Sequence, residues 1–216
     1  MIRIKICCIQ DLDEARMALD AGAHALGLVS AMPSGPGVIS DARIAAIAAA
    51  IEPPAETFLL TSRQDPAAIA AQLDACRPTT VQLCDAIPRK GYARLRDAAP
   101  AVRIVQVVHV VDEASITEAV AASAHVDALL LDSGNPGLAT KELGGTGRTH
   151  NWAWSRRIVE AVSVPVYLAG GLRAENVAEA VRTVRPYGLD VCSGVRTAGR
   201  LDAGKLARFI EAARRA

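Results

Sequence analysis

The sequence Pro165-Val-Tyr-Leu-Ala-Gly-Gly-Leu172 is a short apolar run that ends in a pair of glycines. A second run of this kind, Gly188-Leu-Asp-Val-Cys-Ser-Gly-Val-Arg196, ends in Ser-Gly, and segment 174–184 between them has its apolar residues at helical spacing. The order strand, turn, helix, strand, turn collects backbone N–H groups at one point, which suits a phosphate. The candidate phosphate-binding residues are Gly170, Gly171, Ser193 and Gly194. The alternative is that these glycines only allow tight turns.

The strand–helix unit repeats along the whole chain. Short β-branched runs bounded by turn residues predict strands at Ile2–Cys7, Ala25–Ser30, Thr57–Thr61, Thr80–Cys84, Arg103–Val110, Ala128–Asp132, Val164–Ala169 and Leu189–Cys192. Segments of helical period predict helices at Leu12–Ala21, Asp41–Ile51, Pro66–Ala75, Pro88–Ala98, Glu113–Ala122, Ala153–Val162, Ala174–Val184 and Ala203–Arg214. Eight such repeats in 216 residues are typical of a (β/α)8 TIM barrel. The alternative is a doubly wound open sheet, whose first turn would be glycine-rich if it bound a dinucleotide.

The composition fits a single α/β domain that spans residues 1–216. Hydrophobic residues make up 51% of the chain but aromatic residues only 3%, so the core is built from Ala, Val, Leu and Ile. This filling is typical of a parallel sheet covered by helices. The 24 basic residues nearly balance the 23 acidic ones, for a formal net charge of +1, and this balance does not predict nucleic-acid binding.

The five cysteines show no paired spacing of the kind that binds metals, and the adjacent Cys7-Cys8 is a poor template for a structural disulfide. Free thiols fit a reducing cytosol. The N-terminal segment alternates charged and apolar residues, so we expect neither a signal peptide nor a membrane span. These features predict a cytoplasmic protein with no membrane partner.

Two segments between predicted elements are unusually long. Residues 31–40 follow the second strand, and residues 133–151 follow the sixth and include Gly144-Gly-Thr-Gly147. Loops of that length at the strand-end face of a barrel are commonly lids or walls of a ligand site.

Several reactive side chains stand at the predicted carboxyl ends of strands. Cys7 ends the first strand and Asp132 ends the sixth, and in a barrel such positions converge at the mouth. A thiol and a carboxylate there could act as general base and general acid. The alternative for Cys7 is a small, inert core residue. Asp132 is the stronger candidate, because a carboxylate is costly to place at the end of the buried run Ala128-Leu-Leu-Leu without a partner or a role.

Five motifs in order along the chain resemble the phosphoribosylanthranilate isomerase family of tryptophan biosynthesis. They are Lys5-Ile-Cys7, Leu130-Leu-Asp-Ser133, Gly144-Gly-Thr-Gly-Arg-Thr-His-Asn-Trp152, Leu168-Ala-Gly-Gly-Leu172 with Glu175-Asn-Val177, and Asp190-Val-Cys-Ser-Gly-Val195. The resemblance extends over the whole chain, and five ordered motifs are more specific than any single pair of glycines.

The resemblance implies a (β/α)8 barrel that performs an Amadori rearrangement of an N-linked aldose phosphate without a cofactor or metal. Cys7 matches the family's general base, which takes the proton from C2 of the sugar. Asp132 matches its general acid, which protonates the ring oxygen. The resemblance also implies phosphate contacts at the four residues named above and closure of a loop that includes Gly144 and Gly145. The expected partner is a phosphorylated sugar, and the chain is expected to be a monomer or a homodimer.

Three positions depart from the family pattern, and they leave the substrate open. Cys8 stands where the family usually has Gly, Cys84-Asp85 where it has His-Gly, and Ser34-Gly-Pro-Gly37 where it has Ser-x-Arg. The missing Arg binds the anthranilate carboxylate in the family. The alternatives are therefore a paralogue with the same chemistry on another sugar phosphate, or a non-catalytic phosphate-binding barrel.

Because adjacent strand residues point to opposite faces, Cys8 is expected to face away from the mouth.

Overall fold

The computed structural model describes residues 2–145 and 147–216. Within these residues a closed parallel barrel has the strand order β1-β2-β3-β4-β5-β6-β7-β8. The strands are β1 (Arg3–Ile6), β2 (Ala25–Val29), β3 (Glu56–Thr61), β4 (Thr80–Leu83), β5 (Arg103–His109), β6 (Ala128–Asp132), β7 (Val166–Leu168) and β8 (Gly188–Val191). The helices are α1 (Leu12–Asp20), α2 (Asp41–Ala50), α3 (Pro66–Cys76), α4 (Arg89–Ala98), α5 (Ala114–Ser123), α6 (Trp152–Ala161), α7 (Val177–Val184) and α8 (Ala203–Arg214). The predicted TIM barrel is confirmed, and the open sheet is excluded.

The observed bounds differ from the predicted ones by a few residues. The largest difference is at α7, which was expected to begin at Ala174 and begins at Val177, because a turn in which the Arg173 N–H donates to Asn176 Oδ1 (2.9 Å) precedes it. The segment after β8 also contains elements that the sequence did not predict. They are a 3₁₀ helix (Ser193–Val195) and an antiparallel pair, β9 (Arg196–Thr197) and β10 (Arg200–Leu201).

Local sequence explains where several helices begin. Ser40 caps α2, since its hydroxyl accepts the Arg43 N–H, and Asp65 caps α3, with Pro66 in the first turn. No helix of the described residues is both long and apolar enough to cross a membrane.

The apolar residues form two separate cores because side chains alternate along each strand. One core, with Ile4, Ile6, Leu129 and Leu131, includes residues from helices and lies between the sheet and the helices. The other fills the barrel and consists of strand and loop residues, with Phe58 and Tyr167 in edge-to-face contact at 5.9 Å between ring centroids. The barrel interior is therefore a packed core with its open end at the strand carboxyl termini.

A buried ion pair joins the first and last strands inside the barrel. Lys5 is fully buried, and its Nζ lies 2.9 Å from Asp190 Oδ1, the residue directly across in the β1–β8 register. The ammonium also lies 5.2 Å from the ring centroid of Phe58. Burial lowers the pKa of Lys5, but the negative charges of Asp190, Cys7 and Cys84 outweigh that effect, so its pKa is raised. Lys5 is thus charged and compensated at neutral pH.

Cys8 does not follow the alternation expected of a strand. Strand β1 ends at Ile6, and Cys8 has a left-handed backbone with φ of +64°. This conformation turns the thiol into the barrel core beside Cys7. The expectation that Cys8 faces away from the mouth is therefore wrong, because the pleat has ended before this residue.

The pair that closes the barrel can be tested by removing one charge. In Lys5→Met the buried Asp190 carboxylate keeps no cation, so the free energy of unfolding should fall by about 3–5 kcal/mol in urea denaturation. The double variant Lys5→Met/Asp190→Leu should recover much of that loss. Arg16→Met, which breaks the exposed pair with Asp13, should cost at most about 1 kcal/mol. A loss equally small for Lys5→Met would show that the buried pair does not hold the strands.

The strain at Cys8 is measurable by comparing two truncations of its side chain. Cys8→Gly and Cys8→Ala both remove the thiol, but only glycine adopts positive φ without a steric cost. The glycine variant should be more stable than the alanine variant by about 1 kcal/mol in the same denaturation assay. An alanine variant of equal or greater stability would contradict the left-handed conformation.

Candidate active site

A cavity that opens to solvent lies at the carboxyl ends of the strands, and its walls include both Cys7 and Asp132. The loops after β2, β6, β7 and β8 complete the walls. The two side chains that the sequence selected for acid–base chemistry thus share one concave site of the kind in which small-molecule ligands bind.

Cys7 is held from two directions. Its backbone N–H donates to Val191 O (2.8 Å), and Arg196 donates to its carbonyl (3.1 Å). A Cβ added to Gly27 would lie 2.8 Å from Cys7 Sγ and 3.2 Å from Lys5 Nζ, so the thiol and the ammonium lie against the same glycine. A thiolate at Cys7 is therefore formed beside a fixed positive charge.

Arg196 also fixes the Cys7-Cys8 turn to helix α1. Its guanidinium donates to the carbonyl of Cys8 and to both carboxylate oxygens of Glu14, at 3.2 and 3.0 Å. Glu14 is 2% exposed and also accepts the N–H groups of Gln10 and Leu201. This buried cluster keeps the turn in its left-handed form.

Asp132 ends β6 with its carboxyl group inside the cavity. Its Oδ1 accepts the Ser133 N–H at 2.7 Å, and a Cβ on Gly144 would lie 2.6 Å from Oδ2. Only a glycine lets the loop approach the carboxylate this closely. Burial raises the pKa of Asp132, and the charge of Asp190 raises it further, against opposing effects of the Ser133 N–H, His109 and Lys5. Asp132 therefore keeps its proton to higher pH than an ordinary aspartate.

The predicted phosphate-binding residues lie around this cavity with one exception. Gly170 and Gly171, with φ of +82° and +59°, and Ser193 line it. Gly194 is not among the lining residues; a Cβ on it would meet Leu172 O at 2.0 Å, so this glycine permits close packing of the two turns. Sequence did not distinguish the two roles, because both require glycine.

The two long loops meet over the mouth. The Ser34 hydroxyl donates to Lys141 O (2.7 Å), and a Cβ on Gly145 would lie 2.5 Å from Pro36 Cδ. Gly144 and Gly145, which the resemblance assigns to a loop that closes over the substrate, line the cavity, whereas Thr146 of the same motif lies outside the described residues. The loops after β2 and β6 thus form one wall.

Other polar groups at the strand ends have different surroundings. Gln82 lines the cavity, and its buried Oε1 has no hydrogen-bond partner among the described residues. His109 Nε2 contacts Cys84 O (3.0 Å) outside the cavity wall. His150 lies against Gly170, and burial lowers its pKa to about 4, so its imidazole is neutral at neutral pH. Nδ1 of His109 and Nδ1 of His150 also have no hydrogen-bond partner among the described residues, but of the three side chains only Gln82 lines the cavity.

Sequence reasoning missed two groups that shape the site. Asp190 was quoted only as part of a motif, and its pairing with Lys5 requires the β1–β8 register, which only barrel closure provides. Arg196 had no helical or strand pattern around it, and its partner Glu14 lies far away in the chain. The sequence did contain a signal for the Lys5–Asp190 pair, because a charged residue in a buried strand needs a partner of opposite charge.

Comparison with known proteins agrees with this geometry. Residues 4–212 match the family model described as N-(5'phosphoribosyl)anthranilate (PRA) isomerase. An N-(5'-phosphoribosyl)anthranilate isomerase of Methanocella arvoryzae is 34% identical over 215 residues, covering 99% of each chain. The crystal structure of the phosphoribosyl anthranilate isomerase from Thermotoga maritima superposes with a TM-score of 0.84 at 28% identity over all of both chains. Another solved isomerase, in complex with reduced 1-(o-carboxyphenylamino)-1-deoxyribulose 5-phosphate, gives 0.82 at 26% identity, again over all of both chains. The chain therefore belongs to the phosphoribosylanthranilate isomerase family.

Proposed function

We propose that this protein isomerises N-(5-phosphoribosyl)anthranilate to the corresponding 1-amino-1-deoxyribulose phosphate in the cytoplasm, with Asp132 as general acid and Cys7 as general base. The observation that carries the proposal is that one cavity holds a thiol, a carboxyl group of raised pKa and two glycine-rich turns. Membership of the isomerase family supports the same reaction.

The first step is opening of the furanose ring. The carboxylic acid of Asp132 gives its proton to the ring oxygen as the bond from that oxygen to C1 breaks, which leaves an iminium group between C1 and the nitrogen. Because burial raises the pKa of Asp132, the acid form persists where an exposed aspartate would be ionised.

The second step is removal of the C2 proton. The thiolate of Cys7 takes it, and the electron pair of the C–H bond forms the C1–C2 double bond of an enolamine while the iminium is neutralised. The enolamine then gains a proton at C1 and loses the proton of its C2 hydroxyl, which yields the aminoketose and restores both protein groups. The Lys5 ammonium stabilises the negative charge on Cys7 before this transfer.

The phosphate is expected at the turns after β7 and β8. Gly170 and Gly171 have positive φ, which exposes backbone to the cavity, and Ser193 begins the 3₁₀ helix beside them. Gln82 projects from β4 into the same cavity, and its Oε1 is placed to accept a hydrogen bond from a hydroxyl group of the sugar.

The opposite end of the cavity is apolar and is the expected place for the aromatic ring. Met32, Leu60 and Leu143 line it, and no Lys, Arg or His side chain is among the described residues of the cavity wall. The nearby rim carries Lys141, whose ammonium pairs with Asp85 and whose side chain is 40% exposed. Lys141 binds a ligand carboxylate by leaving Asp85, whose side chain is 10% exposed and keeps the Ala86 N–H at 2.9 Å, so this exchange costs more than breaking an exposed pair.

The two catalytic roles predict a specific kinetic pattern. Cys7→Ser and Asp132→Asn should each lower kcat by about 100-fold or more, while KM changes little because neither side chain holds the phosphate. In the unchanged protein kcat should fall as pH rises through the raised pKa of Asp132, since the acid form is consumed. Steady-state assays of phosphoribosylanthranilate turnover across pH measure both effects.

Cys76→Ser is the matched control, because Cys76 lies on α3 and its thiol contacts Asp41 O rather than the cavity. It should leave the pH profile unchanged. A loss in the Cys7 or Asp132 variant that appears only in KM would refute the assigned roles.

Lys141 provides a test of the substrate's aromatic end. Lys141→Met should raise KM for phosphoribosylanthranilate about 10-fold, which is the effect of losing one charge-assisted contact. The KM of Lys141→Arg should stay close to that of the unchanged protein, because the positive charge is kept. Neither change should alter KM for phosphoribosylaniline, which lacks the carboxylate. Better turnover of phosphoribosylaniline than of phosphoribosylanthranilate by the unchanged protein would favour the paralogue, an enzyme for a different N-linked sugar phosphate.

A further inference from the structure

Four of the five thiols surround one cavity. Cys7, Cys8, Cys84 and Cys192 line it, whereas Cys76 lies on α3. The proposed reaction uses only Cys7. No group of three or more His, Cys, Asp or Glu within residues 2–145 and 147–216 is placed to hold a metal ion, so metal binding does not account for the other thiols.

Cys8 and Cys192 follow the last paired residues of neighbouring strands. Ile6 and Val191 are partners in the β1–β8 register, and the Cys7 N–H donates to Val191 O at 2.8 Å just beyond them. The left-handed backbone of Cys8 turns its thiol into the inner core that Cys192 packs against, and both thiols line the same cavity. Two thiols at the ends of adjacent strands on one cavity wall can be joined by a disulfide when their Cα atoms lie within about 7 Å.

The two thiols are unequal. Cys8 is 4% exposed and is covered by the loop after β2, where a Cβ on Gly37 would lie 3.2 Å from its Sγ. Cys192 is half-buried. Interaction with Cys8 lowers the pKa of Cys192, and the charge of Arg196 lowers it further, against burial, whereas interaction with Cys192 raises the pKa of Cys8. Cys192 is therefore the thiol that an oxidant meets first, and Cys8 is the one that follows.

We propose that Cys8 and Cys192 form a reversible disulfide when a hydroperoxide enters the cavity. The Cys192 thiolate attacks the peroxide oxygen, the O–O bond breaks, and hydrogen peroxide yields the sulfenic acid and hydroxide. The Cys8 thiol then attacks the sulfenic sulfur, an S–S bond forms, and water leaves with the thiol proton. The two electrons lost by the thiols reduce the peroxide.

The disulfide would join the residues directly after Cys7 and directly before Ser193. It would thus tie the proposed base to the proposed phosphate turn and change the mouth of the cavity. Activity is lost in the oxidised protein and returns on reduction. The cross-link itself does not depend on the identity of the substrate.

The experiment is peptide mapping after treatment with hydrogen peroxide at a few equivalents. The intact mass should fall by about 2 Da for the two hydrogens lost. Trypsin should release residues 6–16 joined to residues 183–196, and dithiothreitol should separate them. Peroxide should also abolish isomerase activity, with recovery on addition of dithiothreitol.

Variants identify the sulfurs because Cys7 and Cys8 share a tryptic peptide. The cross-link should persist in Cys7→Ser and in the remote control Cys76→Ser, and it should disappear in Cys8→Gly, which suits the left-handed backbone, and in Cys192→Ser. A cross-link that survives Cys8→Gly and is lost in Cys7→Ser would overturn the pairing. Irreversible addition of oxygen to Cys192 or Cys7 without any cross-linked peptide would overturn the proposal as a whole.

Discussion

The structure depends on how the first strand meets the last. Closing a barrel pairs β1 with β8, and here the closure buries a lysine 2.9 Å from an aspartate. Burying either charge alone would cost several kcal/mol, so the pair favours one register over its neighbours. A slip of one residue would turn Lys5 out of the interior and leave Asp190 unmatched.

The position of the reactive thiol follows from that register. Cys7 lies two residues beyond Lys5 and so faces the same interior, one layer nearer the mouth. Its backbone is then fixed by Arg196, which belongs to the segment after β8. The acid comes from β6, across the barrel, and the glycine turns come from β7 and β8. Distant parts of the chain meet at one cavity only because the sheet closes.

The spacing of apolar residues was enough to predict the barrel, because each of the eight strand–helix repeats buries one face of its strand and one side of its helix. Asp132 was a candidate on the residues alone, because a carboxylate at the end of an apolar strand is costly without a use, whereas Cys7 was equally compatible with an inert core residue and its role was implied by the family resemblance. Cys8 was placed on the wrong side, since strand alternation does not reveal where a strand ends. Gly194 permits the close approach of the turns after β7 and β8, and the sequence did not reveal this because a phosphate contact through the backbone also favours glycine. No sequence pattern predicted the hydrogen bond between Ser34 and Lys141, because the conformation of a long loop is set by its tertiary contacts and not by a local periodicity.

The chain has two tryptophans, Trp152 and Trp154, and both stand in the first turn of α6, directly after the loop that covers the cavity. Both are half-buried against the outer core, where they anchor the end of that loop. The tryptophan fluorescence of the protein therefore originates at a single place next to the site. Changes in emission on adding a ligand would report the packing of this loop without any introduced label, while the opposite side of the barrel would stay silent.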